Sequence, residues 1–329
     1  MTAAYDVAAV GNAIVDVISP ADDAFLAAQG LPKGGMSLID QARADELYGK
    51  MGPGMETSGG SAANTVAGVA SFGGKAAYMG KVADDQLGGV FQHDIKTIGV
   101  EYRTAPLKGG LATARCLISV TPDGQRTMST FLGASNALGP ADLDAEIIKG
   151  ASVLYLEGYL FDPDEARKAF AKAATIARDA GRKISLTLSD GFVVDRHRAA
   201  LMAFIESDVD ILFANESEVK MLMQTDDFDA AASGLRPHVE IAALTRSEKG
   251  SVIVSKTGIE TVAAAPVAAV IDTTGAGDQY AAGFLFGFAR GRPLQECGRL
   301  GSIAAAEVIS HYGPRPQTPF KDLAAKAGL

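Results

Sequence analysis

The chain has 329 residues, 47% hydrophobic and 21% charged, which is enough apolar material for a large buried core. A net charge of -9 with no basic block disfavours general nucleic-acid binding, and no apolar stretch is long enough to span a bilayer. Two cysteines (Cys116, Cys297), four scattered histidines and no basic-then-apolar leader exclude metal-type or redox-type spacing and point to a reducing, cytoplasmic setting.

In chain order, Tyr5–Val10 predicts a buried first strand that ends at Gly11. Asn12 and Asp16 follow at its exit, where ligands of open α/β sheets sit. An amide and a carboxylate there suit sugar hydroxyls; Asx-turn chemistry is the structural alternative. Residues 31–40, with Gly34 and Gly35, read as a turn and a short strand, and 41–48 as a helix. Gly59-Gly60-Ser61-Ala62-Ala63-Asn64 opens a helix of small residues. Gly60 admits a ligand close to the backbone, and Asn64 lies one turn further on. Gly73-Gly74-Lys75 is not a P-loop, because Val69 and Ala76 stand where that motif needs Gly and Ser or Thr.

Residues 113–121 and 127–132 alternate as strands, joined by the hairpin chemistry of Pro122-Asp123-Gly124-Gln125. With the strand near Met36 they predict a small separate sheet, suited to closing over a site. Arg126 reads as a solvated turn arginine, with ligand contact as the alternative. From residue 151, strand patterns at 153–156, 184–188, 211–213 and 241–244 alternate with helical ones, which argues a parallel, doubly wound sheet.

Asn215 and Glu218 match a capping box. Glu218 also suits a magnesium-bound water, and both roles are compatible. Thr245 stands at the next strand exit, before Gly250. Residues 267–271 read as the end of a strand. Asp272-Thr273-Thr274-Gly275-Ala276-Gly277-Asp278 then opens an apolar helix. Its glycine turn leaves backbone N–H groups at a helix N-terminus, an anion site. Asp278 would repel a bound phosphate, but it makes sense as acceptor of the proton of an attacking hydroxyl. The structural alternative is a first-turn acid favoured by the helix dipole.

Together these groups resemble the ribokinase-like (PfkB) family of carbohydrate and nucleoside kinases, over nearly the whole chain. The stretch from Gly59 to Gly74 is similar to the family's N-terminal signature, Asp272–Asp278 to its C-terminal signature, and Asn215-x-x-Glu218 to its Asn-x-x-Glu motif. The resemblance implies one α/β domain over residues 1–329, doubly wound and mostly parallel, with a small β lid inserted from about 12–40 and 100–132. It implies transfer of the γ-phosphoryl group of Mg-ATP to a primary hydroxyl. Asp278 is then the general base, and Gly275, Ala276 and Gly277 form the anion hole. Asn12, Asp16, Gly35, Gly60 and Asn64 hold the acceptor. Asn215, Glu218, Thr245, Gly250, Gly275 and Gly277 hold ATP, with Glu218 reaching Mg²⁺ through water. Asp272 and Thr274 match a potassium site in part.

The implied assembly is a monomer or a homodimer through the lid. Gly11-Asn12 with Asp16, Lys33 to Met36, Arg126-Thr127-Met128, Leu132-Gly133-Ala134 and Glu157-Gly158-Tyr159 look most like the adenosine kinases and their bacterial relatives, which makes a nucleoside 5′-hydroxyl the expected acceptor. The alternatives are a kinase of ribose, fructose or a ketodeoxy sugar acid such as 2-keto-3-deoxygluconate, and a non-catalytic nucleoside-binding protein. A sugar acid needs a cation, for which Arg126 and Arg103 are the candidates. A nicotinamide-dependent dehydrogenase lacks its glycine fingerprint here. Ser247 departs from the family's usual Gly in the Thr-x-Gly-x-x-Gly turn, and Ala83 stands where Gly is common.

Overall fold

A computed structural model describes residues 3–329. Its strands are β1 (Tyr5–Val10), β2 (Ile14–Pro20), β3 (Met36–Leu38), β4 (Met55–Gly59), β5 (Ala76–Met79), β6 (Glu101–Tyr102), β7 (Ala114–Val120), β8 (Arg126–Phe131), β9 (Ala151–Glu157), β10 (Lys183–Thr187), β11 (Ile211–Asn215), β12 (Ile241–Thr245), β13 (Ser251–Ser255) and β14 (Ile259–Val262). Nine form one sheet in the order β14-β13-β12-β11-β10-β9-β1-β5-β6, and five form a second in the order β3-β8-β7-β2-β4. The large sheet is parallel from β12 to β6, and only β13 and β14 run antiparallel at its edge.

The central strands read as unbroken apolar runs because helices cover both faces. Val7 and Ala9 face one core with Phe284 and Val66, and Ala8 and Val10 face the other with Phe170 and Leu186. Helix Asp164–Asp179 shows how sequence sets this packing. Ala166, Phe170, Ala173 and Ala177 recur at helical spacing and are buried, while its charged residues face outward. The chain winds outward from β1 to β5 and β6 on one side, and from β9 to β12 on the other. Strand order therefore reverses between β1 and β9, and the crevice beyond their C-terminal ends is the place for a ligand.

The second sheet projects beside that crevice, because β1 runs on into β2 through Gly11-Asn12-Ala13. Its strands alternate. Asp16, Ile118 and Met128 face the cleft. Val15, Val17 and Leu117 face the opposite way, into a core shared with Leu47 of helix Gln41–Tyr48 and with Phe91 and Ile95 of helix Gln86–Thr97.

Three expectations are corrected. The lid also takes β4, outside the 12–40 and 100–132 segments; Met-Glu-Thr-Ser-Gly has no apolar alternation to announce a strand. Glu101–Tyr102, inside the expected lid segment, pairs with β5 in the large sheet. Residues 267–271 form no strand: the segment has left the sheet edge, the Ile271 N–H donates to Ile309 O at the end of helix Leu294–Val308, and Val270 is 61% exposed. No helix among the described residues is long and apolar enough to cross a membrane.

Candidate active site

Two glycine turns meet at the crevice. Gly60 caps helix Ser61–Ser71, and Gly275 caps helix Ala276–Ala289. Their meeting point is Asp278. Its Oδ1 accepts from Ser61 Oγ at 2.6 Å, and its Oδ2 from Asn64 Nδ2 at 3.0 Å. Burial holds the Asp278 carboxyl above its ordinary pKa, and the two hydrogen bonds partly oppose that rise. A carboxylate raised in this way is a better proton acceptor than a solvated one. Gly275 has φ +78, and a Cβ there would lie 2.6 Å from Pro314 Cβ, so only glycine forms this turn. Among the described residues no protein acceptor takes the N–H of Gly275 or Gly277, whereas Ala276 N–H reaches Thr273 O at 3.2 Å. Of the three N–H groups in this turn, two are therefore free and one is engaged.

The acceptor end holds Asn12, Asp16, Gly60 and Asn64 together on one wall. Glu157, at the exit of β9, organises it. Its Oε1 accepts from Asn12 Nδ2 at 2.9 Å and from Asn12 N at 3.3 Å, and its Oε2 accepts from Ala62 N at 2.9 Å. This turns the other end of the Asn12 amide away: Asn12 Oδ1 and Asn64 Oδ1 are both buried with no partner. Asp16 is buried too, and its neighbours Arg315, Arg126 and Asp278 act on it only through charge; burial pushes it up to about 7. Three unpartnered acceptors in one cleft are of the chemistry that takes hydroxyl donors. Gly35 is not on that wall. It lies at the lid edge, where its carbonyl accepts Met128 N–H at 2.9 Å.

At the other end Asn215 and Glu218 form the expected capping box: Asn215 Oδ1 accepts Glu218 N–H, and Glu218 Oε2 accepts Asn215 N–H, both at 2.9 Å. Glu218 is buried and raised to about 7, first by desolvation and then by Asp190, which also lines the cleft. Glu218 and Asp190 place two carboxylates in this part of the cleft, a donor set that suits Mg²⁺ keeping most of its waters. Thr245 lines the same wall. Gly250 lies outside the lining, with φ +83, and its carbonyl accepts Arg246 N–H. Ser247, in place of the usual glycine, itself adopts φ +51, so the turn retains a left-handed residue there.

Asp272 does not fit a potassium ion. Its Oδ1 accepts from Thr274 N (3.0 Å) and Oγ1 (2.8 Å), and its Oδ2 from Gly313 N (3.0 Å). Arg126 Nη2 lies 2.7 Å from Oδ2, and both side chains are nearly fully buried. Arg126 Nη1 also donates to Thr274 Oγ1 at 3.3 Å. The positive charge beside Asp272 is therefore a guanidinium of the lid. Arg126 is not the solvated turn residue its position suggested, since hairpin chemistry says nothing of what faces a turn in space.

Ser61 and Glu157 line this cleft and Arg315 stands behind its Ser58–Ala63 turn; none of the three is among the residues the sequence singled out for a role there. Glu157 carried the same signal as Asn12, a polar residue at a strand exit. Ser61 follows a glycine pair at a helix start. Arg315 stands between two prolines and has no local signal at all.

A doubly wound sheet, a β lid and an acid at a glycine-turn helix N-terminus define a ribokinase-like kinase of small molecules. The chain belongs to the pfkB family of carbohydrate kinases, whose model matches residues 32–321. It is similar to a crystallised adenosine kinase from Sinorhizobium meliloti (51% identity, 98% of this chain and 99% of that one, TM-score 0.92). It is similar in the same degree to a probable sugar kinase from Rhizobium etli CFN 42 (50% identity, 99% of both chains, TM-score 0.93). An adenosine kinase of Saccharomyces cerevisiae is 26% identical, with 93% of this chain and 95% of that protein covered. The protein is thus a kinase of sugar or nucleoside type, and its family implies ATP and usually Mg²⁺.

Proposed function

We propose that the protein phosphorylates the 5′-hydroxyl of adenosine or a related nucleoside. The observation that carries this reading is an apolar ceiling above the hydroxyl receptor. Met36, Leu38, Ile118 and Met128 of the lid face the cleft, and Phe192, 72% exposed, stands in its wall. A purine would cover these side chains, while its ribose meets Asn12, Asp16 and Asn64. A free hexose has no apolar face of that size. The cleft, about 640 Å³, has room for both a nucleoside and a nucleotide.

Charge argues against a sugar acid. Arg196, the cation in the lining, pairs with Asp162 at 2.7 Å. Arg126 pairs with Asp272, and Arg103 pairs with Glu101 at 2.8 Å away from the cleft. A carboxylate substrate drawing on Arg196, Arg126 or Arg103 would have to break one of these pairs. Similarity to the Sinorhizobium meliloti adenosine kinase supports the same reading.

In the proposed reaction the acceptor hydroxyl gives its proton to Asp278, and its oxygen bonds the γ-phosphorus as the bond to the β-bridging oxygen breaks and ADP leaves. Gly275 and Gly277 N–H groups stabilise the phosphoryl oxygens. Asn215 and Glu218 would hold the hydrated Mg²⁺, which supplies neutralisation of phosphate charge. The lid's outer face is already covered by the chain's own helices, which supports a monomer rather than a dimer through that face.

The test is coupled ATP consumption with Mg²⁺ and a panel of adenosine, inosine, ribose, fructose and 2-keto-3-deoxygluconate. Turnover with adenosine well above the sugars is expected. Turnover with a free sugar alone would replace the nucleoside reading by the sugar-kinase one. Binding of adenosine without turnover would favour a nucleoside-binding protein.

A further inference from the structure

Arg315 is half-buried, and among the described residues no carboxylate lies within ion-pairing distance of its guanidinium. Its Nε and Nη2 donate to Ser58 O at 3.1 and 2.8 Å, its Nη2 to Ser58 Oγ at 2.9 Å, and its Nη1 to Ala63 O at 3.1 Å. These contacts bracket Gly59-Gly60-Ser61-Ala62, the turn that carries Ser61 and leads to Asn64. Ser61 and Asn64 are the two side chains that hold Asp278. The segment around Arg315 touches the second turn as well. Gly313 N–H donates to Asp272 Oδ2, Pro314 packs on Gly275, and Pro314 O and Asn64 O both accept from Gln279 Nε2, at 2.8 and 3.0 Å. A strap from the C-terminal end of the chain thus ties together the two glycine turns that meet at Asp278.

We propose that Arg315 is a positioning residue for phosphoryl transfer, clamping the 58–63 turn so that Ser61 and Asn64 present Asp278 to the acceptor hydroxyl, and supplying a positive charge behind it. The proposal rests on the reading of Asp278 as general base. All four hydrogen bonds of the guanidinium go to neutral oxygens that a neutral donor would also satisfy, so its charge is left to act on other groups. Its charge is useful because the wall beside it is acidic. Arg315 faces Asp94, Asp16, Asp278 and Tyr78. Asp278 in turn acts on Asp16, Glu157, Tyr155 and Tyr159. Asp94 is tied to Ser58 through its N–H and hydroxyl, which fixes the same turn from behind. Against these acids, Arg315 favours the ionised form of Asp278 that a base requires.

The test compares Arg315→Met and Arg315→Lys with wild type and with Asp278→Asn, each checked for folding by urea unfolding. The readouts are kcat, the KM for ATP and the pH profile of kcat. Arg315→Met is expected to lower kcat by ~10-fold or more and to move the acid limb upward by roughly half a unit or more, because a lost cation raises a neighbouring carboxyl. Arg315→Lys keeps the charge but cannot hold both carbonyls. Its limb should stay in place while kcat falls several-fold. KM for ATP should hardly change in either. A folded Arg315→Met with the wild-type acid limb overturns the proposal, and so does wild-type kcat in Arg315→Lys, which decides alone if the Met variant does not fold. If Asp278→Asn retains turnover, the base reading itself fails. If Asp278→Asn is inactive while both Arg315 variants behave as wild type, the Arg315 proposal alone fails.

Discussion

Asn64 Nδ2 donates to Asp278 Oδ2 at 3.0 Å, joining residues 214 positions apart in the chain. Each stands in the first turn or so of a helix capped by a glycine, and each helix packs on the same side of the large sheet as the other. The contact fixes the carboxylate by both oxygens, since Ser61 holds the other one. A carboxylate held in this way is fixed in one rotamer.

Asp278→Asn tests this arrangement directly. The amide keeps the shape and loses the proton acceptor. The variant should fold and bind ATP as wild type does, and lose at least ~10²-fold in kcat, the lower end of a general base's contribution. Single-turnover kinetics with saturating ATP separates the loss from binding. Near-normal turnover would remove Asp278 from the role of base.

Gly60→Ala tests the acceptor wall. Gly60 has φ +93 and ψ 141, and a Cβ there would lie 2.2 Å from Asn12 O. Strain and clash together should cost about 1–3 kcal/mol or more and displace Asn12 from the cleft. Acceptor KM should rise far more than ATP KM, and the melting temperature should fall. A variant with unchanged acceptor KM would show that the 58–63 turn does not shape that wall.

Potassium is the third test. Asp272 accepts two hydrogen bonds from Thr274 and one from Gly313, and its charge is paired with the Arg126 guanidinium. Replacing K⁺ by Na⁺ at constant ionic strength should leave kcat within ~2-fold, because the carboxylate's charge is already met by the Arg126 guanidinium. Removing the guanidinium is different. Arg126→Met leaves a buried Asp272 charge unpaired and should destabilise the fold by about 3–5 kcal/mol, read from urea unfolding. Strong K⁺ activation of the wild type would mean that the Arg126–Asp272 pair opens during turnover.

Much of this was legible before the structure. The doubly wound sheet follows from apolar runs of strand length alternating with amphipathic helices such as Asp164–Asp179. The Asn215–Glu218 capping box is local chemistry and formed as spaced. What sequence could not supply were contacts whose partners are remote. Arg126 meets Asp272 across 146 positions, and nothing in a hairpin turn announces a buried carboxylate opposite. Arg315 reaches Ser58 across 257 positions. Strand β4 lacks alternation because its pairing with β2, rather than its own pattern, makes it a strand. The apolar residues 267–271 misled in the opposite sense, since hydrophobicity without a neighbouring strand edge does not form a ladder.

Glu157 gives the last test, through pH. Burial raises its carboxyl from 4.5 to about 7, against three hydrogen bonds from Asn12 and Ala62. The folded chain thus holds this proton more tightly than the unfolded chain. That contribution to stability is fully present below about pH 4.5 and is lost as pH rises through 7. Asp16 and Glu218 are also raised to about 7, so they give the same trend. Comparison with Glu157→Gln isolates the one group, because glutamine cannot titrate and the other two are common to both proteins. The amide also turns one donor towards the N–H groups of Asn12 or Ala62, so the variant is expected to be less stable at low pH. As pH rises from 5 to 8, wild type should lose stability relative to Glu157→Gln by on the order of 2–3 kcal/mol, read as a closing gap between the two urea midpoints. A gap that stays constant over that range would mean that Glu157 is ionised throughout in the folded protein, held so by its three N–H donors.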